Sequence, residues 1–251
     1  MNGLRRVFGF FSILPLSRAG TLEETASAAY LLPLVGAALG ATEGLAGWGS
    51  FRLFGTPVAA AIILGSALLL TGLHHADGLA DLGDALMVHG GASRRIEVLK
   101  DRTMGVGAAG ALIITCLLGW AALLQLLGWR TPGAWVIAAL AAVEISARLS
   151  LFTVAAAGVS SHEGSGKIFL EVLKGWRAAT GLILSIAGLA ALALVLPASG
   201  LLAAGAAAAA MGLALAATGK YLFGGVGGDI LGSAVELGRM AALLGMVAAL
   251  R

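Results

Sequence analysis

Long apolar runs, each ended by a short polar interval, dominate the chain. Seven stand out, at residues 27–46, 57–73, 105–127, 132–157, 178–196, 200–218 and 230–250. A bilayer-spanning helix needs about 20 predominantly apolar residues. The runs therefore predict an all-α, polytopic transmembrane helical bundle of six to seven spans, read as one domain over 1–251. The second run is short for a full crossing, and the seventh carries Glu236 and Arg239 within it. Three longer polar segments, 74–104, 158–177 and 219–229, lie between the runs.

The charges sort these segments. With the N-terminus on the cytoplasmic side, eleven cations fall on that side: Arg5, Arg6, Arg18, Arg94, Arg95, Lys100, Arg102, Lys167, Lys174, Arg177 and Lys220. Only Arg52, Arg130 and Arg251 fall opposite. Such a bias follows the positive-inside rule and places all three polar segments on the cytoplasmic face, where separate loops can build one site. Composition agrees with a membrane protein. The 251 residues are 59% hydrophobic and 12% charged, against about 25% charge in soluble domains, and the mean hydropathy is +0.96. The 38 glycines suit close helix packing in lipid, and Gly36–Gly40 has the GxxxG spacing of such interfaces. A single cysteine, Cys116, excludes an internal disulfide. Arg5 and Arg6 precede a short apolar core that ends in Pro15 and Arg18 instead of a small-x-small cleavage site. That pattern predicts a membrane-surface or half-inserted helix, not a signal peptide.

The densest chemistry is "HHADGLADLGD", His74–Asp84. On a helix, Asp77, Asp81 and Asp84 (i, i+4, i+7) project within roughly 60° of one another and form one carboxylate stripe. Like charges at this spacing repel, so a cation must answer them: either a divalent metal, magnesium preferring carboxylate and phosphate oxygen, or Arg94, Arg95 or Lys100. His74 and His75 are candidate metal ligands or proton acceptors, or ordinary interfacial residues. Lys100, Asp101 and Arg102 form a mixed-charge group suited to a phosphate or to an internal salt bridge. The following "MGVGAAG" lacks the Gly-Lys-Ser/Thr of a phosphate-binding loop. Inside the fourth run, Glu144 and Arg148 (i, i+4) either neutralise one another or Arg148 reaches phosphate, since charges within spans face a bundle interior or a wet cavity. "SHEGSG", residues 161–166, reads as a flexible polar loop. Asp229 and Glu236, seven apart and downstream of Lys220, add a second acidic pair at the cytoplasmic end.

Taken together, "FFSILPL", "HADGLADLGDAL", "KDRTMG", the Arg148 run, "HEGSG" and "GGVGGDILGSAVELG" resemble the cobalamin synthase (adenosylcobinamide-GDP ribazoletransferase) family. His75, Asp77, Gly78, Ala80, Asp81 and Asp84 fit its central pattern, whose last glycine is here Ala85. Lys100-Asp101-Arg102-Thr103 departs from the family's Lys-Asp-Ser-Arg order. The resemblance implies a magnesium-dependent transferase of a prokaryotic plasma membrane that joins adenosylcobinamide-GDP with α-ribazole, or its 5′-phosphate, and releases GMP. It implies magnesium at Asp77 and Asp81, with Asp84 a further ligand or the base. His75 is a second candidate base. Lys100, Asp101, Arg102, Arg148, Lys220, Asp229 and Glu236 complete or orient the phosphate and substrate site. No nucleic-acid partner is indicated, and a homo-oligomer is compatible with the sequence. Two rivals fit less well. A CDP-alcohol phosphotransferase has arginine where Asp81 stands here, and a cation transporter places its acids at bilayer mid-depth.

Overall fold

The computed structural model describes residues 2–16, 21–101, 103–160 and 165–251. Among the described residues the chain is helical throughout, with one isolated bridge, Ser160 to Val226, and no strand. In chain order the helices are α1 (Asn2–Phe11), α2 (Leu22–Ala28), α3 (Leu32–Phe54), α4 (Thr56–Leu70), α5 (His74–Met87) and α6 (Ala92–Leu99). These are followed by α7 (Val106–Trp129), α8 (Trp135–Ala157), α9 (Ser165–Leu173), α10 (Trp176–Leu192), α11 (Ala198–Phe223) and α12 (Gly228–Ala249).

Five stretches are long and apolar enough to cross a membrane: Leu22–Phe54, α7, α8, α11 and α12. Two further pairs pass the same test only together, α4 with α5 and the Gly166–Leu173 part of α9 with α10, bent by 93° and 79°. The chain is a multi-pass membrane protein. The expected second and fifth spans are thus the straight halves of broken pairs, of 15 and 17 residues, and neither reaches a full crossing alone. The seventh run is a complete helix of 22 residues, because its charges turn inward and leave an apolar outer face.

Helix α8 is the axle, buried along most of its length and packed by α3, α10, α11 and α12. Small residues let the backbones approach. The GxxxG pair continues to Gly44, and on α3 a Cβ at Gly40 would lie 2.6 Å from the carbonyl carbon of Leu140. With no hydrophobic drive between helices in lipid, this close packing is what holds such a pair together. Two apolar cores stack along the bundle. One, around Trp135, Leu126, Leu201 and Met246, fills one end. The other, around Leu32, Leu82, Phe152, Leu170, Phe223 and Ile230, underlies the polar segments.

Those segments meet at one end. The Val226 amide donates to the Val159 carbonyl at 2.6 Å, Gly166 abuts Gly228, and Gly78 abuts Asp229. Helix α5 lies across this end, over the first turns of both α7 and α12.

Candidate active site

The turn into α5 is tight. The Leu73 and Gly72 amides donate to the Leu68 and Leu69 carbonyls at 3.0 and 2.9 Å, closing α4 with Gly72 at φ +63°, the usual glycine-ended helix cap. Leu73 follows at φ +62° and is the sole non-glycine residue with positive φ among the described residues. That conformation costs roughly 1–2 kcal/mol for an L-residue. The strain turns the chain so that α5 runs across the bundle end instead of prolonging α4.

On α5, Asp77 is exposed, Asp81 and Asp84 are partly buried, and His75, Gly78 and Gly83 are buried. Two glycines allow contact at backbone distance. A Cβ on Gly78 would stand 3.0 Å from Asp229 Cα, and one on Gly83 would stand 2.6 Å from the Gly107 carbonyl oxygen. The Ser233 hydroxyl fastens the first junction, lying 3.0 Å from the Gly78 carbonyl and 2.7 Å from that of Asp229. Asp229 itself stands in the first turn of α12, where the helix dipole favours an anion.

This juxtaposition perturbs Asp81. Partial burial, then the carboxylates of Asp229, Asp77 and Asp84, push its pKa up to about 6. Asp84 has a definite partner. Its Oδ2 accepts from the Gly105 amide at 2.6 Å and its Oδ1 from the Ala108 amide at 2.9 Å. It therefore caps α7 across a gap of 21 residues. Neither flanking arginine answers the stripe. Arg94 pairs with Glu97 at 2.8 Å, while Arg95 donates to the Ala85 carbonyl at 2.6 Å and closes the end of α5.

Among the described residues, no three His, Cys, Asp or Glu side chains already form a group that could hold a metal ion. The donor chemistry nonetheless suits magnesium. Carboxylates from two helices raise the proton affinity of Asp81, and magnesium commonly takes only one or two carboxylates, with phosphate and water oxygens filling its shell. Asp77, Asp81 and Asp229 are the candidates.

The other expected residues fall into two groups. Lys100 and Lys220 are exposed at the ends of α6 and α11. Asp101 is also exposed, and its Oδ1 accepts from the Thr103 amide at 2.9 Å and hydroxyl at 2.8 Å, which holds its pKa below the usual carboxylate value. Arg102 and residues 161–164 of the "SHEGSG" loop lie outside the described residues.

Arg148 and Glu236 belong instead to a buried ionic chain. Arg148 pairs with Glu144, Glu144 with Arg239, and Arg239 with Glu236, all at most 5% exposed. Glu43, equally buried, has an Oε1 with no partner. Glu236 lies two turns deeper than Asp229, about 10 Å along the helix, and turns to Arg239. Individual charges at Glu43 and Arg239 are visible in the sequence, but their meeting across α3, α8 and α12 is not.

His75 is buried at the start of α5, its ring stacked on Phe11 with centroids 6.1 Å apart. Burial first, then the charge of Arg148 and Arg239, drop its pKa to about 3. The imidazole is therefore neutral.

The sequence profile of the cobalamin-5-phosphate synthase family matches residues 3–247. A protein of Halorubrum lacusprofundi described as adenosylcobinamide-GDP ribazoletransferase is 34% identical, covering 97% of this chain and 95% of its own length. Its counterparts with the same description in Methanosarcina mazei and Methanocella arvoryzae are 31% and 32% identical. They cover 94% and 97% of this chain, and 88% and 94% of their own lengths. No solved structure matches the chain. A profile match over residues 3–247, with relatives 31% and 34% identical over 94% and 97% of the chain, shows that the chain belongs to the cobalamin-5-phosphate synthase family.

Proposed function

We propose that the chain is an adenosylcobinamide-GDP ribazoletransferase, acting at the cytoplasmic face of a prokaryotic plasma membrane on α-ribazole or its 5′-phosphate. A ribose hydroxyl attacks the cobinamide-side phosphorus of the diphosphate. A phosphorus–oxygen bond forms to the ribose, the bond to the GMP oxygen breaks, and GMP leaves. The observation that carries this reading is the meeting of Asp77 and Asp81 on α5 with Asp229 on α12 at one bundle end, where Asp81 responds electrostatically to both.

Asp77, Asp81 and Asp229 would hold magnesium, which when bound supplies charge neutralisation for the diphosphate leaving group. The hydroxyl proton passes to a carboxylate oxygen of this cluster that the metal leaves free. His75, neutral and with little basicity, is assigned to substrate contact, and Asp84 to holding α7. Exposed Lys100 and Lys220 serve as phosphate partners that close on the substrate, with Asp101 shaping the turn beside Lys100. The cation bias towards the polar segments supports the cytoplasmic orientation.

The test is reconstitution in lipid nanodiscs with adenosylcobinamide-GDP, α-ribazole and magnesium, following GMP and cobalamin. Stoichiometric release of both is expected, and its loss in Asp77→Ala and Asp81→Ala proteins that insert normally. Folded wild-type protein that yields neither product would overturn the assignment.

A further inference from the structure

Beside the acidic stripe lies a cavity of about 150 Å³, open on one side and walled by α1, α2, α5, α9 and α12. Its surface is largely apolar. Phe11 meets Phe169 edge-on at 5.7 Å and Phe10 at 4.9 Å, so aromatic faces and edges supply much of the wall. The α12 wall includes Gly228 and Gly232, which bracket Asp229. The α5 wall includes His75 and also His74, which stands three residues, about one turn, ahead of Asp77. His75 is buried, yet its Nδ1 has no hydrogen-bond partner. A buried polar atom without a partner costs roughly 1–3 kcal/mol, so it requires an explanation that packing does not offer.

From the proposed reaction, and resting on it, we infer that this cavity seats the flat aromatic base of the ribazole substrate, and that the His75 ring turns on binding so that its buried Nδ1–H donates to the ring nitrogen that carries no sugar. A closed apolar cavity of about 150 Å³ accepts a benzene ring. An open one of that size takes the dimethylated benzene edge of a benzimidazole and leaves the ribose outside. The ribose then emerges where the cavity wall adjoins Asp77 and Asp229, which brings its hydroxyl to the acidic cluster. A corrin ring is far too broad for this space. An acyl chain would fill it but leave the His75 nitrogen unanswered.

Leu22 contributes the α2 wall of the cavity and has no part in the acidic cluster, so Leu22→Trp narrows the cavity from the outside. In nanodiscs, this variant is expected to raise KM for α-ribazole about tenfold, the scale of a steric misfit in an apolar pocket. KM for adenosylcobinamide-GDP should change less than twofold. A riboside carrying indole, with carbon in place of the free ring nitrogen, should bind wild type at least tenfold more weakly than α-ribazole. His75→Phe, which keeps the ring against Phe11, should erase that difference. Binding of α-ribazole by wild type is also measured calorimetrically without magnesium or the diphosphate substrate, which separates this inference from the reaction itself. Detectable binding that Leu22→Trp weakens supports the cavity even in a preparation that makes no cobalamin. An active enzyme whose KM for α-ribazole is unmoved by Leu22→Trp, or whose indole discrimination survives in His75→Phe, sinks it.

Discussion

Gly78 rests on the backbone of Asp229, with room for no further carbon: a Cβ there would stand 2.9 Å from the Asp229 carbonyl oxygen and 3.0 Å from its Cα. The contact sets the separation of the two helices that carry the acidic cluster. Backbone cannot rotate away as a side chain can, so Gly78→Ala must lift α5 from α12. Overpacking of this kind costs about 1–3 kcal/mol, and a displacement of the order of 1 Å costs about 10²-fold in rate when it separates reacting groups. Gly78→Ala protein is therefore expected to insert, to melt at a lower temperature and to lose about two orders of magnitude in kcat. Unchanged turnover would mean that the α5–α12 spacing does not govern the chemistry.

Asp84 offers a sharper discrimination, because the structure gives it a structural task while its spacing puts it among the metal ligands. As the cap of α7 it needs acceptor oxygens more than charge. Loss of a cap costs about 0.5–2 kcal/mol. Asp84→Ala should lose about that much stability, measured by thermal unfolding in detergent, and Asp84→Asn, which keeps one of the two acceptor oxygens, should fall between wild type and Asp84→Ala in stability and retain substantial turnover. A magnesium ligand or general base would not tolerate the amide. If Asp84→Asn is as inactive as Asp81→Ala while more stable than Asp84→Ala, the carboxylate belongs to the reaction and not to the cap alone.

The contrast shows which parts of the molecule local pattern can reveal. The helical spans follow from apolar runs, because lipid leaves an unpaired backbone no other partner. The meeting of the three polar segments at one end follows from where the cations lie. The shared face of Asp77 and Asp81 follows from a four-residue spacing. What could not be read depends on crossings between helices. Asp84 finds Gly105 only because α5 turns by 93° away from α4, and that turn rests on a strained Leu73 that no apolar pattern announces. The aromatic cavity joins α1 with α9, two short helices whose contact has no local signature. Arg148 read equally well as a phosphate ligand or as half of an ion pair, and its burial against Glu144 inside the bundle is what the sequence alone does not show.

The ionic chain makes its own prediction. Its members are desolvated, so removing one strands another. Such a break costs about 3–5 kcal/mol, whereas replacing a whole buried pair with apolar residues is often neutral. Glu144→Gln strands Arg148, whose ion pair is with Glu144, and leaves Arg239 only Glu236, and it should sharply lower the yield of folded protein. Arg148→Met strands less, because Glu144 keeps Arg239. What folds of the Arg148→Met protein should show an unaltered KM for adenosylcobinamide-GDP. A large rise in that KM would return Arg148 to the phosphate site.

Asp81 links the site to pH. Its carboxyl holds a proton up to about pH 6 because burial and the Asp229, Asp77 and Asp84 carboxylates disfavour its anion. A metal ion binds the anion, so the proton competes with magnesium. Above pH 6 the carboxylate is already formed and affinity should be flat. Below pH 6 the group must release a proton for each ion bound, and apparent magnesium affinity should fall by up to about tenfold per pH unit, since one pKa unit corresponds to about 1.4 kcal/mol. Calorimetric titrations in two buffers of different ionisation heat would count that proton directly. The neighbouring charge can also be removed by Asp229→Asn. With its strongest repulsive partner gone, Asp81 should ionise at lower pH, and the onset of the decline should move down with it, although the maximal affinity falls through loss of a ligand. An onset that stays near pH 6 in Asp229→Asn would separate the two carboxylates energetically and remove Asp229 from the cluster.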